Sequence, residues 1–98
     1  DGSVDALFNA IDRAINISTK VESYQVRSVT SGREALGEVV VRVRYNDKSF
    51  SGRGTSTDII EASGKAYLQA INQQETFKYK LEAFDEEDIK TENNFMGI

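Results

Sequence analysis

Apolar side chains recur at helical spacing in the first part of the chain. They are Val4, Leu7, Phe8, Ile11, Ala14 and Ile15, and their spacing predicts a helix over residues 4–15. Ser3 precedes this run as a good N-cap, and Asp5 lies in the first turn, where the helix dipole favours a carboxylate. Asn16 is expected to end the helix.

The middle of the chain alternates apolar and polar residues, which is the pattern of strands with one buried face. It predicts strands over residues 21–30, 37–45 and 48–53. In the clearest of these strands, Val39, Val41, Val43 and Tyr45 share one face. In the first strand, strict alternation places Val21 and Tyr24 on opposite faces.

A second helical pattern covers residues 58–72. Residues 75–84 are predicted to form a separate weak helix, and residues 85–94 are acidic, rich in Asn and expected to be mobile. The predicted order α-β-β-β-α is that of an α+β domain, in which both helices pack on one face of a three-stranded antiparallel sheet. We expect the domain to end at residue 74 and residues 75–98 to form an acidic tail.

Composition excludes several classes of function. The 98 residues contain no Cys and no His, which removes disulfides, thiolate zinc sites and the commonest general base. No apolar run approaches the roughly 20 residues that a membrane span needs. The first residue is not Met, so we expect a piece of a longer protein that lacks the strands preceding its first helix. An independent enzyme is the least favoured class.

The net charge of −4 is unevenly distributed. Residues 1–74 carry nine acidic and nine basic side chains, whereas residues 75–98 carry seven acidic and three basic ones. Binding to nucleic acid needs clustered Lys and Arg to neutralise phosphates. We therefore expect neither nucleic acid nor membrane as a partner.

Two glycines precede predicted helix starts, Gly2 before the first helix and Gly54 before the second. Backbone N–H groups at such positions bind anions, so a site for a carboxylate is one interpretation. Ordinary capping at Gly2 and a tight turn at Gly54 are the alternatives, and the local sequence by itself favours them. The segment around Gly54 is not a Walker A loop, because the Gly-Lys-Ser/Thr ending is missing.

Three segments together resemble the C-terminal regulatory domain of 2-isopropylmalate synthases. Residues 2–11 resemble the G-P-V-D-A…A-I/L signature of that family, with Ser3 in place of Pro. Residues 24–39 resemble its Y-x-V/L…G-x-D-A-L/Q-G-x-V segment, with Glu34 in place of Asp. Residues 52–72 resemble its G-x-G-x-x-T-D-I-x-x-A-S-x-K-A…A-L-N ending, with Gly64 in place of Ala.

The resemblance implies a regulatory domain of two βββα units, of which residues 1–74 lack the first three strands. It also implies that this domain forms homodimers and binds leucine as a feedback inhibitor. It also implies a cytoplasmic parent enzyme, an acyltransferase that condenses acetyl-CoA with 2-oxoisovalerate in a TIM-type barrel using a divalent metal. That catalytic part is absent from this chain, so no cofactor and no catalytic residue are expected here.

The resemblance also implies effector-binding positions. They are Gly2, Val4 and Asp5 at the first helix start, Val21, Tyr24 and Ser28 on the following strand, and Gly54 and Ile59 near the second helix start. An amino acid needs N–H donors for its carboxylate, an acceptor such as Asp5 for its ammonium group, and an apolar wall for its side chain.

Two rival readings stay open. The related domain of citramalate synthases senses isoleucine, and a third possibility is a dimerisation module without a ligand. Ser28 favours leucine, because a small residue there leaves room for a γ-branched side chain.

Overall fold

The computed structural model describes residues 2–96, and it describes the side chains of all of these except residues 31, 34 and 85–96. Five elements follow one another along the chain. They are helix α1 (Gly2–Ile15), strands β1 (Lys20–Ser31), β2 (Glu34–Tyr45) and β3 (Lys48–Ser56), and helix α2 (Ile59–Met96). The predicted α-β-β-β-α order and the α+β class are confirmed.

The three strands form one antiparallel sheet in the order β1-β2-β3. Each connection is a two-residue turn that contains one residue of positive φ, Gly32 at 61° and Asn46 at 57°. Left-handed backbone is cheap for Gly and tolerated by Asn. These short turns fix the register, in which Tyr24 pairs with Val41 and Val39 pairs with Gly54.

Both helices pack on one face of the sheet, which we call the inner face. Val39, Val41 and Val43 of β2 lie on it and are completely buried. The rest of the buried core comes from the helices and consists of Val4, Phe8, Ala62, Ala66, Tyr67, Ala70 and Ile71. The β2 alternation therefore predicted its buried face correctly, since a period of two matches a sheet covered on one side.

Helix α2 lies unusually close to β3. A Cβ on Gly54 would overlap the carbonyl oxygen of Ala62 and lie 2.8 Å from the backbone nitrogen of Ala66. A Cβ on Gly52 would overlap the carbonyl oxygen of Ala66 and lie 2.5 Å from the nitrogen of Ala70. Glycine on the strand, facing alanines spaced four apart on the helix, is what permits this backbone approach.

Helix α1 is fixed at its end and along its buried side. Asn16 has a φ of 55°, and the Ile17 N–H donates to the Asp12 carbonyl at 3.0 Å, which is the Schellman arrangement of a helix C-terminus. Phe8 stacks on Tyr67 of α2 with ring centroids 4.0 Å apart. The Tyr67 hydroxyl donates to Asp12 Oδ1 at 2.6 Å. Burial, and then this bond to Asp12, raise the pKa of Tyr67 above its ordinary value.

The predicted boundary of the second helix is wrong. The sequence indicated a helix over 58–72 and a second, weak helix over 75–84, but α2 is continuous from Ile59 to Met96. No Gly or Pro lies between residues 72 and 84 to end it. Phe77 continues the packing beyond residue 72, because its ring lies 5.4 Å from that of Phe50 on β3.

Helix α2 also extends through residues 85–94, where a mobile tail was expected. The side chains there lie outside the described ones, and the domain boundary at residue 74 stays a prediction. Among the described residues, no helix combines the length and apolar character needed to cross a membrane.

Candidate functional site

The predicted site residues on β1 lie on the inner face of the sheet, and Ser28 is the one nearest to the β1–β2 turn. Ser28 pairs with Gly37 of β2 and is exposed. The side chain of Ile59, the first residue of α2, occupies the space above Gly37, where a Cβ would overlap Ile59 Cδ1. Ile59 is 36% exposed, so its outer side remains open to solvent. Ser28 and Ile59 thus lie at the same corner of the sheet.

Tyr24 lies on the same face four residues before Ser28, with Val26 between them, and joins three elements. Its hydroxyl forms a 2.7 Å hydrogen bond with Ser63 Oγ of α2. Its ring lies edge-on to Phe8 of α1, with centroids 6.2 Å apart and ring planes at 68°. Edge-to-face contacts of this kind are favourable between aromatic rings. Tyr24 is therefore held at the junction of α1, β1 and α2.

Val21 is on the same face as Tyr24, contrary to strict alternation. Val21 pairs with Val43 and Tyr24 pairs with Val41, and both partners are inner-face residues. The reason is a β-bulge, since the register of β1 shifts between Val21 and Ser23. A bulge adds one residue to one strand and so reverses the alternation beyond it. Val21 is 39% exposed.

The α1 start contributes residues of two kinds. Val4 is 5% exposed and belongs to the buried core. Gly2 is exposed, and nothing lies within 4 Å of a Cβ placed on it. Asp5 is exposed in the first turn of α1. Helix α1 begins at Gly2, two residues earlier than predicted, so Ser3 lies inside the first turn.

The placement expected for Gly54 is wrong. Strand β3 continues to Ser56, so Gly54 is a buried strand residue beneath α2 and does not lead directly into the helix. Its φ is not positive. Asp58 caps the α2 start, because its Oδ1 accepts the Ile60 N–H at 2.9 Å. The chain's own carboxylate therefore takes a helix-start N–H that had been assigned to an effector.

The opposite, outer face of the sheet is mostly polar, although Val40 lies on it. Glu38 is the buried acidic residue there, and its Oε1 lies 2.6 Å from Arg27 Nε while its Oε2 lies 3.6 Å from Arg53 Nε. Both arginines are more than 60% exposed. The described residues contain no group of three or more Asp and Glu side chains able to hold a metal ion. The candidate site on the inner face thus offers hydroxyls and apolar side chains, and Asp5 lies on the first turn of α1.

Sequence reasoning missed two residues at this site. In the sequence, Ser63 stands only within the motif of residues 52–72, yet it is completely buried and bonded to Tyr24. Gly37 stands only within the motif of residues 24–39, yet it makes room for Ile59. A Ser among alanines on a buried helix face signals a required polar partner, because an unpaired buried hydroxyl is costly. Nothing in the sequence identified that partner.

Comparison with known proteins agrees with this architecture. The sequence profile of the LeuA allosteric (dimerisation) domain family matches residues 1–75. The chain is 62% identical over 72 residues to a 2-isopropylmalate synthase of Pyrococcus furiosus, and 54% identical over 72 residues to one of Ruminiclostridium cellulolyticum. Each alignment covers 74% of this chain and 14% of the relative.

A longer alignment reaches into the second half of α2. The 2-isopropylmalate synthase of Geobacillus thermodenitrificans is 43% identical over 89 residues, which is 91% of this chain and 16% of the relative. The chain therefore spans about one seventh of the length of the relatives that it matches. No solved structure matches the chain significantly.

Proposed function

Because the chain belongs to the LeuA allosteric (dimerisation) domain family, we propose that its regulatory role is the binding of leucine for feedback inhibition. The family supports a regulatory and dimerising domain, and the identity of the effector is our proposal. The effector shifts the equilibrium between domain arrangements, and such a coupling is worth typically about 1–3 kcal/mol.

The observation that carries this proposal is the corner formed by Ser28 and Ile59, which meet at Gly37 although they lie 31 positions apart in sequence. Tyr24 lies on the same face of β1, four residues before Ser28. Ser28 is small and exposed, and its neighbours on the same face of β1 are the larger residues Val26 and Thr30. This leaves space for an aliphatic side chain against the apolar wall of Ile59.

The polar ends of the ligand require groups beyond this corner. The exposed Asp5 supplies an acceptor for the ammonium group, and the α1 start at Gly2 supplies open backbone for a carboxylate. We assign Val4 and Val21 to the apolar surroundings, since Val4 is buried and Val21 is on the same face as Tyr24. Gly54 is left out of the proposed site because it is packed beneath α2.

We further propose that the whole protein is a cytoplasmic homodimeric 2-isopropylmalate synthase. The names of the relatives support this assignment. Its acyl transfer from acetyl-CoA to 2-oxoisovalerate would occur in a TIM-type barrel outside this chain. The divalent metal of that reaction would be held there, by residues that this chain does not contain.

Calorimetric titration of the full-length protein with leucine, isoleucine and valine tests the effector. We expect leucine to bind at least tenfold more tightly than the other two, since one misplaced methyl group is worth about 1–3 kcal/mol. Tight binding of isoleucine instead would identify the isoleucine-sensing class. If none of the three amino acids binds, the proposal is refuted, and a dimerisation module without a ligand is the remaining interpretation.

A substitution at Ser28 tests the location. Ser28→Ile fills the space beside Ile59, so leucine inhibition is expected to weaken at least tenfold while uninhibited turnover stays near wild type. Ser23→Ile is the matched control, because Ser23 is on the same strand but pairs with Arg42 of the outer face. Unchanged inhibition in Ser28→Ile would remove Ser28 from the site.

A further inference from the structure

Ser63 is completely buried in the core between the sheet and α2. It follows Ala62 and precedes Ala66 on the helix side that faces the inner sheet valines. An alanine would fit the same surroundings without any polar group to satisfy. A hydroxyl in this position is tolerated because the Tyr24 hydroxyl lies 2.7 Å away.

This hydrogen bond connects the edge strand of the sheet to α2. Helix α2 packs on β2 and β3, and β1 is the strand on the far side of β2. Tyr24 reaches from β1 across the inner face to Ser63, 39 residues later in sequence. The bond therefore sets the position of the tyrosine ring relative to the helix.

The same two elements also form the corner at Ser28. Ile59 and Ser63 are four residues apart on α2 and thus lie on the same side of the helix, about one turn from each other. Tyr24 and Ser28 are four residues apart on β1 and share the inner face. Ile59 contacts the sheet at Gly37, beside Ser28, while Ser63 contacts it at Tyr24.

We infer that Ser63 is a positioning residue of the effector site, which acts through Tyr24. Its hydrogen bond holds the tyrosine ring as a fixed wall, so the effector does not have to order that side chain when it binds. The inference rests on the proposed function, because it assigns a role within the site proposed for leucine.

The test is a double-mutant cycle in the full-length protein, with leucine affinity measured by calorimetry. Ser63→Ala and Tyr24→Phe each remove one hydroxyl of the pair. Each is expected to weaken leucine binding about 3- to 10-fold, the size of ordering one side chain. The double variant is expected to bind leucine no more weakly than whichever single variant has the lower leucine affinity, because both changes remove the same contact.

Ser23→Ala is the matched control, since it removes a hydroxyl from the outer side of β1, one residue before Tyr24. Its leucine affinity is expected to equal that of wild type. If wild type itself binds no leucine, the proposed function fails. If wild type binds leucine but Ser63→Ala binds equally well, only the role of Ser63 fails.

Additive losses in the double variant would also overturn the inference, because Ser63 would then act independently of Tyr24. Should Ser63→Ala not fold, Tyr24→Phe alone decides the matter, since it removes the same hydrogen bond and leaves α2 unaltered. Wild-type affinity in Tyr24→Phe would show that the bond does not position the wall.

Discussion

Gly54→Ala provides the sharpest test of how α2 packs on the sheet. The added Cβ would overlap the Ala62 carbonyl oxygen and lie 2.8 Å from both the Ala66 nitrogen and Lys65 Cβ. Two of these three atoms are backbone, so a change of rotamer cannot relieve the overlap. Helix α2 must move away from β3, and this movement loosens the contacts that α2 and β3 make with β2.

The cost follows from the nature of the overlap. Overpacking a core by one methyl group typically costs about 1–3 kcal/mol, and occasionally more. Because the obstruction here is mainly helix backbone, we expect about 2–3 kcal/mol. A domain of this size is stable by about 5–15 kcal/mol in total, so the variant still folds but opens more often. At a tenfold change for every 1.4 kcal/mol, amide exchange in β3 and α2 should accelerate about 30- to 150-fold.

Hydrogen exchange measured by mass spectrometry on the full-length protein reports these amides directly. Gly64→Ala is the matched control, because a Cβ on Gly64 would lie 3.4 Å from Leu7 Cδ2, the end of a flexible side chain. That variant should be more stable by about 0.5–1 kcal/mol, since alanine favours a helix interior over glycine. If amides in Gly54→Ala exchange as slowly as in wild type, α2 does not approach β3 as closely as described.

The same packing changes the expectation for an acidic substitution. If Gly54 led into an anion site, as one interpretation of the sequence has it, Gly54→Asp would remove most of the leucine inhibition by placing a charge beside that site. With Gly54 buried against α2, the variant is expected instead to lose stability. A normal melting temperature combined with lost inhibition would favour the original interpretation.

Three further predictions follow from the described contacts. Burial and the bond to Asp12 raise the pKa of Tyr67, so the neutral phenol is favoured in the folded state. The stability that this gives is retained below pH 10 and lost as pH rises further. Tyr67→Phe should reduce this loss of stability, measured by urea titrations between pH 9 and 11. Glu38→Gln should lower the free energy of unfolding by no more than about 1 kcal/mol in the same titrations at neutral pH, since both arginine partners are mostly exposed. A larger loss would mean that solvent screens these two ion pairs less than their exposure indicates. The chain by itself should be dimeric or only marginally stable at micromolar concentration, because Val21 and Val26, on the inner face of the edge strand β1, are 39% and 48% exposed. Sedimentation of a stable, compact monomer would contradict this.

The secondary structure of this chain could be predicted wherever the signal is local. Residues 4–15 formed a helix and residues 37–45 a strand, because periods of 3.6 and 2 describe which side chains face one direction. Asn16 ended α1 as predicted, since a residue that tolerates positive φ serves as a helix stop. Where the local signal was weak, as in residues 72–76, packing of Phe77 on Phe50 decided that α2 continues.

The tertiary structure alone decided the role of Gly54 and the face of Val21. A glycine in a turn and a glycine beneath a helix look the same in sequence, and only the approach of α2 distinguishes them. A bulge likewise exists only in relation to a partner strand, so the alternation of β1 could not reveal it.

For the candidate site, the resemblance to the family's motifs was enough to predict Tyr24, Ser28 and Ile59. It could not determine that Ser63 binds Tyr24 or that Ile59 fills the space above Gly37. Contacts between residues 22 and 39 positions apart depend on the angle and height at which α2 lies on the sheet. Those quantities are set by the whole packed core, because backbone approach at the strand glycines fixes where every side chain of the helix meets the sheet.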